Sequence, residues 1–464
     1  MGLSAAMEIG KNGLNIYRVA TEVTGENIAN VNTPGYSRQR VLLETAPPTT
    51  ANGFPMGTGV RIATVERYYD ALLQQQLVNA ATTLGYDTAK SNTLQQIEPA
   101  FNEIVNDGIG AAISKFFGSW QDLTVNPSGT AERQSVITNA QILTDNFQMI
   151  SRTLDDSITM QNDSLVPLVD SINATLKDIA QLNGQIKTTE LVAGNANETR
   201  DRRDQLIRDL SQKIGITFTE NTDGTTDIKF ADGGAALVTG ETAGAFSLDK
   251  ITDPNSFAVQ LTPVGAVPPA VGVNPTTGQL GATLALRDTI IPAYQAQVDT
   301  LATTITTQVN TQHTAGFDLN GDPGIALFDP AATNAATFGL NPAIVNTTQI
   351  AASSSALLTG DNVNAQLITK LQSQKLMAGG TLTLNSYFDG LVSKIGLDVA
   401  SSKNTVSQDE AFSKQLTSLR ESNSGVSLDE ELSNLIMYQR SYQASAKLIT
   451  TATEMMDTVI GMIR

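Results

Sequence analysis

The sequence predicts an α+β protein: a discontinuous long-helix bundle or coiled-coil rod formed by both chain ends, carrying an inserted mainly-β domain. Three observations predict it. Segments with apolar residues at three- and four-residue spacing fill both ends of the chain and much of its interior. Between residues 216 and 281 the texture changes to short alternating runs broken by Gly and Pro. Residues 1–35 and 428–464 each carry an apolar stripe that needs a partner helix.

Residues 4–32 form the first helix, with Ile9, Ile16 and Val23 seven apart and Val19 filling a three-four step. Gly10, Gly13 and Gly25 each cost about 1 kcal/mol relative to Ala in a helix interior, so this segment is not stable alone. It ends in Asn27, Ile28, Ala29, Asn30, Val31, Asn32, Thr33, Pro34, Gly35 and Tyr36. Pro34 stops the helix, and Pro34-Gly35 supply the middle of a type II turn with Gly35 at positive φ. Residues 38–44 and 59–65 read as strands flanking a Pro- and Gly-rich loop, a hairpin or extended arm. From Asp70 the chain is helical again, with Leu72, Leu73, Leu77 and Leu84 leading toward Ile97, Phe101 and Ile104. After Gly108 and Gly110, one face carries Ile113, Phe116, Trp120 and Leu123, which makes Trp120 a core residue. The turn at residues 126–129 launches the most regular seam in the chain: Val136, Ala140, Leu143, Phe147, Ile150 and Leu154. A long antiparallel partner is expected to return through Leu165, Ile172, Ile179, Leu182 and Ile186.

Residues 198–209 are the densest charge cluster, with alternating signs. Glu198 with Arg202 and Asp204 with Arg208 fall at i,i+4, the pattern of a salt-bridged, exposed helix face. Next comes the β segment, where Asp223-Gly224 between alternating runs signals a hairpin. Residues 287–314 return to helix, 317–355 are irregular, and 364–422 are helices that rejoin the bundle. In the final helix Ser427 caps the first free N–H groups, Glu430 reaches back to the cap, and Asp429 to Glu431 complement the dipole. Its seam runs through Leu435, Tyr438, Tyr442, Ser445, Ile449, Ala452, Met456, Val459 and Ile463. The chain thus divides into a terminal coiled-coil unit (1–35 and 428–464), a helical rod (36–215, 282–316 and 361–427), the β insert (216–281) and an irregular or β excursion (317–360).

Composition narrows the function. With 46 acidic against 29 basic residues the net charge is −17, which argues against nucleic acid and against anionic lipid. Charged residues are only 16%, below the usual figure of about 25%, so helices approach through small polar surfaces. Cysteine is absent, which removes disulfides, thiolate catalysis and Cys-ligated metal. No apolar run approaches the ~18 residues that span a bilayer. The opening MGLSAAMEIGKNG lacks the features of a secretory signal, and Ala6 breaks the myristoylation pattern, so export by an unconventional route is expected. The chemical motifs are equally spare. Asp318, Asn320 and Asp322 have calcium-loop spacing, but Pro323 takes the required glycine position and Asp329 replaces the bidentate Glu, leaving a plain loop. His313 is the only histidine, and its neighbours Gln312 and Thr314 suggest a solvated helix end. No phosphate loop, zinc helix or nucleophile elbow is present. A non-enzyme with no cofactor and no metal is expected. The remaining enzymatic alternative is glycan hydrolysis by two carboxylates.

The run GENIANVNTPGYSRQRV at residues 25–41 resembles the N-terminal signature of flagellar axial proteins, and its GYSRQ ending resembles the hook-associated FlgK family. GVSLDEELSNLIMYQRSYQASAKLITTATEMMD at residues 425–457 resembles the same family. So do Asn126-Pro127-Ser128 with Arg133-Gln134, RDRRDQLIRDLS at residues 200–211, and His313 followed by GFDLNG. Residues 218–281 fall outside the resemblance. The resemblance implies an exported structural subunit that joins hook to filament, located outside the cell in the flagellum, its two terminal helices packed along a tube. It implies as partners further copies in a ring, the hook protein, the next hook-associated protein toward the filament, and a cytoplasmic export chaperone on the last helix. Two other functions stay open: another axial subunit of hook or rod, or a flagellum-associated glycan hydrolase.

Overall fold

The computed structural model describes residues 2–51, 54–103, 107–192, 194–250, 256–266, 270–358 and 360–463. Helix α1 (Gly2–Ala29) leads into strands β1 (Gln39–Thr45), β2 (Thr49–Ala51), β3 (Phe54–Met56) and β4 (Val60–Arg67). β1 pairs antiparallel with β4 from Gln39↔Arg67 to Thr45↔Val60, and β2 pairs with β3 inside that hairpin. Helix α2 (Ala71–Ile97) begins where the Asp70 carboxylate accepts the Leu73 N–H at 3.0 Å. Leu73 and Leu77 are buried on it, whereas Leu72 faces solvent. Ile104, placed on the same helical stretch by its spacing, lies outside the described residues.

Helix α3 (Ile109–Val125) and the 63-residue α4 (Thr130–Val192) follow. The length of α4 corrects one expectation. Leu165, Ile172, Ile179, Leu182 and Ile186 do not return antiparallel to the Val136–Leu154 seam; they continue the same helix, about 95 Å long at 1.5 Å per residue. No glycine interrupts residues 130–183, and Pro167 inside the helix removes one hydrogen bond without ending it.

Helix α5 (Asn197–Lys213) then enters the β segment: β5 (Ile216–Glu220), β6 (Thr226–Phe230), β7 (Ala236–Thr239), β8 (Thr242–Ala243), β9 (Ala245–Lys250), β10 (Phe257–Thr262) and β11 (Val271–Gly272). These form one sheet in the order β5-β6-β7-β8 and a second in the order β11-β10-β9. Gly224, at φ +81°, turns the β5–β6 hairpin. Helix resumes at Gly278, inside the expected β segment, as α6 (Gly278–Ala285), one π-helical turn (Leu286–Ile290) and α7 (Ile291–Thr314). Helices α8 (Val363–Leu371), α9 (Leu384–Ser424) and α10 (Leu428–Ile463) complete the chain.

Two large cores hang on α4. Its N-terminal half packs with α3, α7, α8 and the first half of α9. The irregular stretch after α7 contributes Phe328 and Phe338 to that core, where Phe338 stands edge-on to Phe147 at 5.2 Å. The C-terminal half of α4 packs with α5, α6 and both sheets, so the β segment keeps no core of its own. Three asparagines on α4 fasten the strands. Asn173 exchanges two 2.8 Å bonds with the Phe246 backbone, Asn183 bonds the Thr226 backbone in the same way, and Asn162 accepts the Phe257 N–H. They recur about three turns apart and lie on one helix face.

Two polar features also depart from expectation. Helix α5 is not a solvated face: Asp201, Arg203 and Asp204 are buried. Its charges pair across elements, Arg67 with Asp201 at 2.6 Å and Asp204 at 2.7 Å, and Arg200 with Glu190 at 2.7 Å. Among the described residues neither expected i,i+4 ion pair forms; Arg208 donates instead to Gln74 at 2.8 Å. The cause is position, since α5 is enclosed by α2, α4 and α6. His313 is fully buried rather than solvated at a helix end, edge-on to Trp120 at 5.8 Å. Its Nε2 accepts the Ala351 N–H at 2.9 Å while Nδ1 donates to the Ile325 carbonyl, so the neutral ring clamps two segments of the irregular stretch. Nearby, the Asp318 carboxylate accepts the N–H groups of Asn320 and Asp322, closing that loop on itself.

Burial drives the His313 pKa down to about 4 from 6.5. The unfolded chain therefore binds the extra proton first as pH falls, and stability present above pH 6.5 is lost progressively toward pH 4. The loss amounts to roughly 3 kcal/mol. Denaturant unfolding at pH 7 and pH 4.5 is expected to show a steeper loss in the wild type than in His313→Gln; equal losses would contradict it.

Candidate assembly interface

The chain ends meet as an antiparallel pair. Gly10 lies beside Ile449, Gly13 beside the Ser445 hydroxyl, and the Tyr17 and Tyr438 rings sit 6.4 Å apart. A Cβ on Gly10 would fall 2.6 Å from Ile449 Cγ1, and one on Gly13 would fall 2.6 Å from Ser445 Oγ. Two of the three glycines that weaken α1 as an isolated helix, Gly10 and Gly13, are therefore positions where α10 approaches closely, while a Cβ on Gly25 would meet nothing within 4 Å. Sequence reasoning registered only their cost.

Of the expected seam residues on α1, Ile16 and Val23 are buried, Val19 and Ile28 are half-buried, and Ile9 packs against Gly59 of the hairpin. On α10, Leu435, Tyr438, Ile449 and Met456 are half-buried. Tyr442 and Val459 stay exposed, at 41% and 42%, and the Ile463 side chain lies outside the described residues. Tyr442 borders a groove with Arg18, Thr21 and Glu22 at the edge of the pair. A second apolar stripe on α10, Met437, Leu448, Met455, Val459 and Met462, is not covered by α1.

Past α1, the Tyr36 N–H bonds the Thr33 carbonyl across Pro34 and Gly35, with Gly35 at φ +84°, and the Thr33 hydroxyl donates to Asn30. This turn is held from three sides. Arg420 of α9 donates to the Gly35 carbonyl, and the Asp201 carboxylate accepts from the Ser37 N–H at 2.7 Å and its hydroxyl at 2.8 Å. From the third side comes Asn27, which is buried and fully bonded. Its Oδ1 accepts from the Gln39 N–H and the Tyr36 hydroxyl, both at 2.9 Å. Its Nδ2 donates to the Gln39 carbonyl at 2.9 Å and to Glu431 at 3.1 Å.

Glu431 is buried and also receives Arg38 Nε at 2.7 Å, while Arg38 Nη1 reaches Glu430 at 2.9 Å. Burial opposes the Arg38 charge, yet the bonds and charges of these two carboxylates hold its pKa above the ordinary value. Glu430 thus engages Arg38 instead of folding back on Ser427 as the capping pattern suggested. Asn27 and the signature turn were visible in the sequence. Arg38, Glu431, Arg420 and Asp201 carried no local signal, because each partner lies more than 100 residues away.

The family model described as the flagellar hook-associated protein FlgK helical domain matches residues 94–328, half of the chain. The chain belongs to the FlgK family. Two further family models, the flagella basal body rod protein and the C-terminal part of the basal body rod FlgEFG protein, match residues 7–36 and 420–462. The FlgK match spans α4 and much of both cores on it, with residues 335–399 of the first core beyond it; the other two fall on α1 with its turn and on the end of α9 with α10. Flagellar hook-associated protein 1 of Escherichia coli (strain K12) is 28% identical, over 99% of this chain and 100% of that protein. That of Bacillus subtilis (strain 168) is 26% identical, over 98% and 97%. The structure of the flagellar hook junction protein FlgK from Burkholderia pseudomallei shares the fold, with TM-score 0.68 at 18% identity, covering 76% of this chain and 100% of that one.

In this FlgK-family chain Asn27→Ala would orphan the Gln39 backbone and part of the Glu431 carboxylate. The expected cost is about 1–3 kcal/mol. Proteolysis should then cut residues 1–40 faster than wild type while residues 130–190 keep their resistance; unchanged cleavage of both would refute the role of Asn27.

Proposed function

We propose that this chain is the structural adaptor between flagellar hook and filament, and that it has no catalytic activity. One observation carries the proposal: α10 spends one apolar stripe on α1 and leaves a second uncovered along its length. An exposed stripe of that extent is a docking surface for other helices. The relatives that match this chain over nearly their whole length bear the name flagellar hook-associated protein 1, which supports hook and filament-side proteins as the partners. The terminal unit, residues 1–35 with 428–464, packs among further copies in a ring within the tube, and the rod and β segment stand as the body attached to it. The chain reaches its place outside the cell through the flagellar type III apparatus.

Hydrolysis is the less supported reading. Acidic neighbours raise the pKa of two carboxyls, Glu198 lifting that of Glu26 to about 7 and burial with the Asp409 charge lifting that of Asp87, and neither pair lines a described cleft together. Glycoside chemistry uses separations of about 5–5.5 Å or 6.5–9.5 Å.

Electron microscopy of a strain lacking the gene is expected to show hooks without filaments; normal filaments would remove the proposal. Before export, the uncovered stripe suits a cytoplasmic chaperone. Removing residues 428–464 should abolish that complex, and unchanged affinity would place the chaperone elsewhere.

A further inference from the structure

Methionine is concentrated in the last helix. Four of the ten methionines in the chain, Met437, Met455, Met456 and Met462, lie on α10. Met456 shares the α1-facing seam with Ser445 and Ile449 and is half-buried. The other three are 51%, 56% and 76% exposed and stand, with Leu448 and Val459, on the stripe that α1 leaves uncovered. At 3.6 residues per turn those five positions fall within about 60° of the helix circumference. Elsewhere Met149 and Met160 are exposed on α4, and Met377 is buried in the first core.

Leucine at the same positions would give a stripe of equal period, with the better helix former. A thioether differs from it in chemistry: it is flexible and apolar until an oxidant reaches it, and polar afterwards.

We propose that Met437, Met455 and Met462 form a peroxide-sensitive modification site, and that their oxidation to sulfoxides closes the α10 docking stripe to neighbouring helices. In each, the sulfur attacks one peroxide oxygen and the O–O bond breaks. The leaving hydroxide takes the proton of the new S–OH and departs as water. Sulfur loses two electrons and the peroxide gains them, so the peroxide is the sole co-reactant. The product places a polar S–O group within the stripe, and burying it against an apolar helix face leaves its oxygen without a hydrogen-bond donor. The seam toward α1 is spared, because Ser445, Ile449 and Ala452 carry no thioether and Met456 is half-buried among them. Oxidation therefore acts on the outward contacts of α10 and leaves its pairing with α1 in place. The site is open from synthesis until assembly, when neighbouring helices cover it. The effect on assembly rests on the adaptor reading; the order in which the thioethers react does not.

Peptide mass spectrometry of the full-length monomer in dilute hydrogen peroxide tests the site. Met437, Met455 and Met462 should each gain one oxygen faster than Met456 and much faster than Met377. Reaction no faster than at Met377 would overturn it. Hooks isolated from a strain lacking the gene test the consequence. Peroxide-treated wild type should join them at least about tenfold less than untreated wild type, the loss that corresponds to one fully buried side chain. The treated triple variant Met437→Leu, Met455→Leu, Met462→Leu should join as well as the same variant untreated. Treated Met149→Leu with Met160→Leu should fail as the wild type does. Undiminished joining by treated wild type would overturn the switch, and so would an equal loss in the treated triple variant. If untreated wild type itself does not join hooks, the adaptor reading falls and the switch with it, an outcome distinct from joining that ignores peroxide.

Discussion

The structure depends on holding together two ends of the chain that lie more than 400 residues apart. Closing so long a loop is entropically costly, and α1 brings little intrinsic stability to it, since three glycines interrupt its sequence. The closure works because Asn27 is satisfied at every polar position: two bonds to Gln39, one from Tyr36 and one to Glu431. A buried amide so arranged specifies one geometry and penalises others, because any slip leaves several groups unpaired at once. Arg38 then fixes the first turn of α10 through Glu430 and Glu431. The direction in which α10 leaves is thus set by residues 27–39, and the glycine contacts at Gly10 and Gly13 follow from that register.

The body answers to a different constraint. Helix α4 passes through both large cores, so those cores share one rigid element and cannot hinge freely about a loop. The asparagines at 162, 173 and 183 extend that rigidity to the sheets by binding strand backbone directly to the helix. By contrast, the apolar contact between α2 and the second half of α9 is small: Leu73, Leu77 and Ala80 against Leu416. That stem also buries an acid contact, in which burial and then the Asp409 charge raise the Asp87 pKa. The stem thus joins the body to the terminal helices with far fewer buried apolar side chains than either large core holds.

Helical periodicity was legible in the sequence because apolar spacing reports burial directly. The Val136–Leu154 seam and the Trp120 face follow from it, and the β5–β6 hairpin follows from two-residue alternation about Asp223-Gly224. The continuity of α4 was not legible, because one long helix and two antiparallel ones show the same period, and Pro167 favours a break on local grounds. Charge on α5 misled for a related reason. Alternating signs fit an exposed face and a buried network equally well, and the deciding partners, Arg67, Glu190 and Glu220, lie on other elements. His313 had polar neighbours in sequence, but the segments that bury it, around Ile325 and Ile350, follow it by a dozen residues or more. At the interface, apolar seam positions could be found by spacing, while the polar bonds that fix their register could not.

What remains is the unequal condition of the two halves of the molecule. The body buries aromatic and aliphatic side chains on several sides, and each loses contact with water within its own chain. Helix α10 has one neighbour along most of its length, and residues such as Met462, 76% exposed, bury almost nothing. Two helices in contact along a single stripe gain little beyond what nucleating them costs, especially when one of them is interrupted by glycine. Further helices against the uncovered stripe would remove that deficit without new sequence, since Met437, Leu448 and Met455 already form a surface of the right period. The terminal pair is therefore the half of the fold whose stability depends on company. The Asn27 joint connects it to a half that is stable alone.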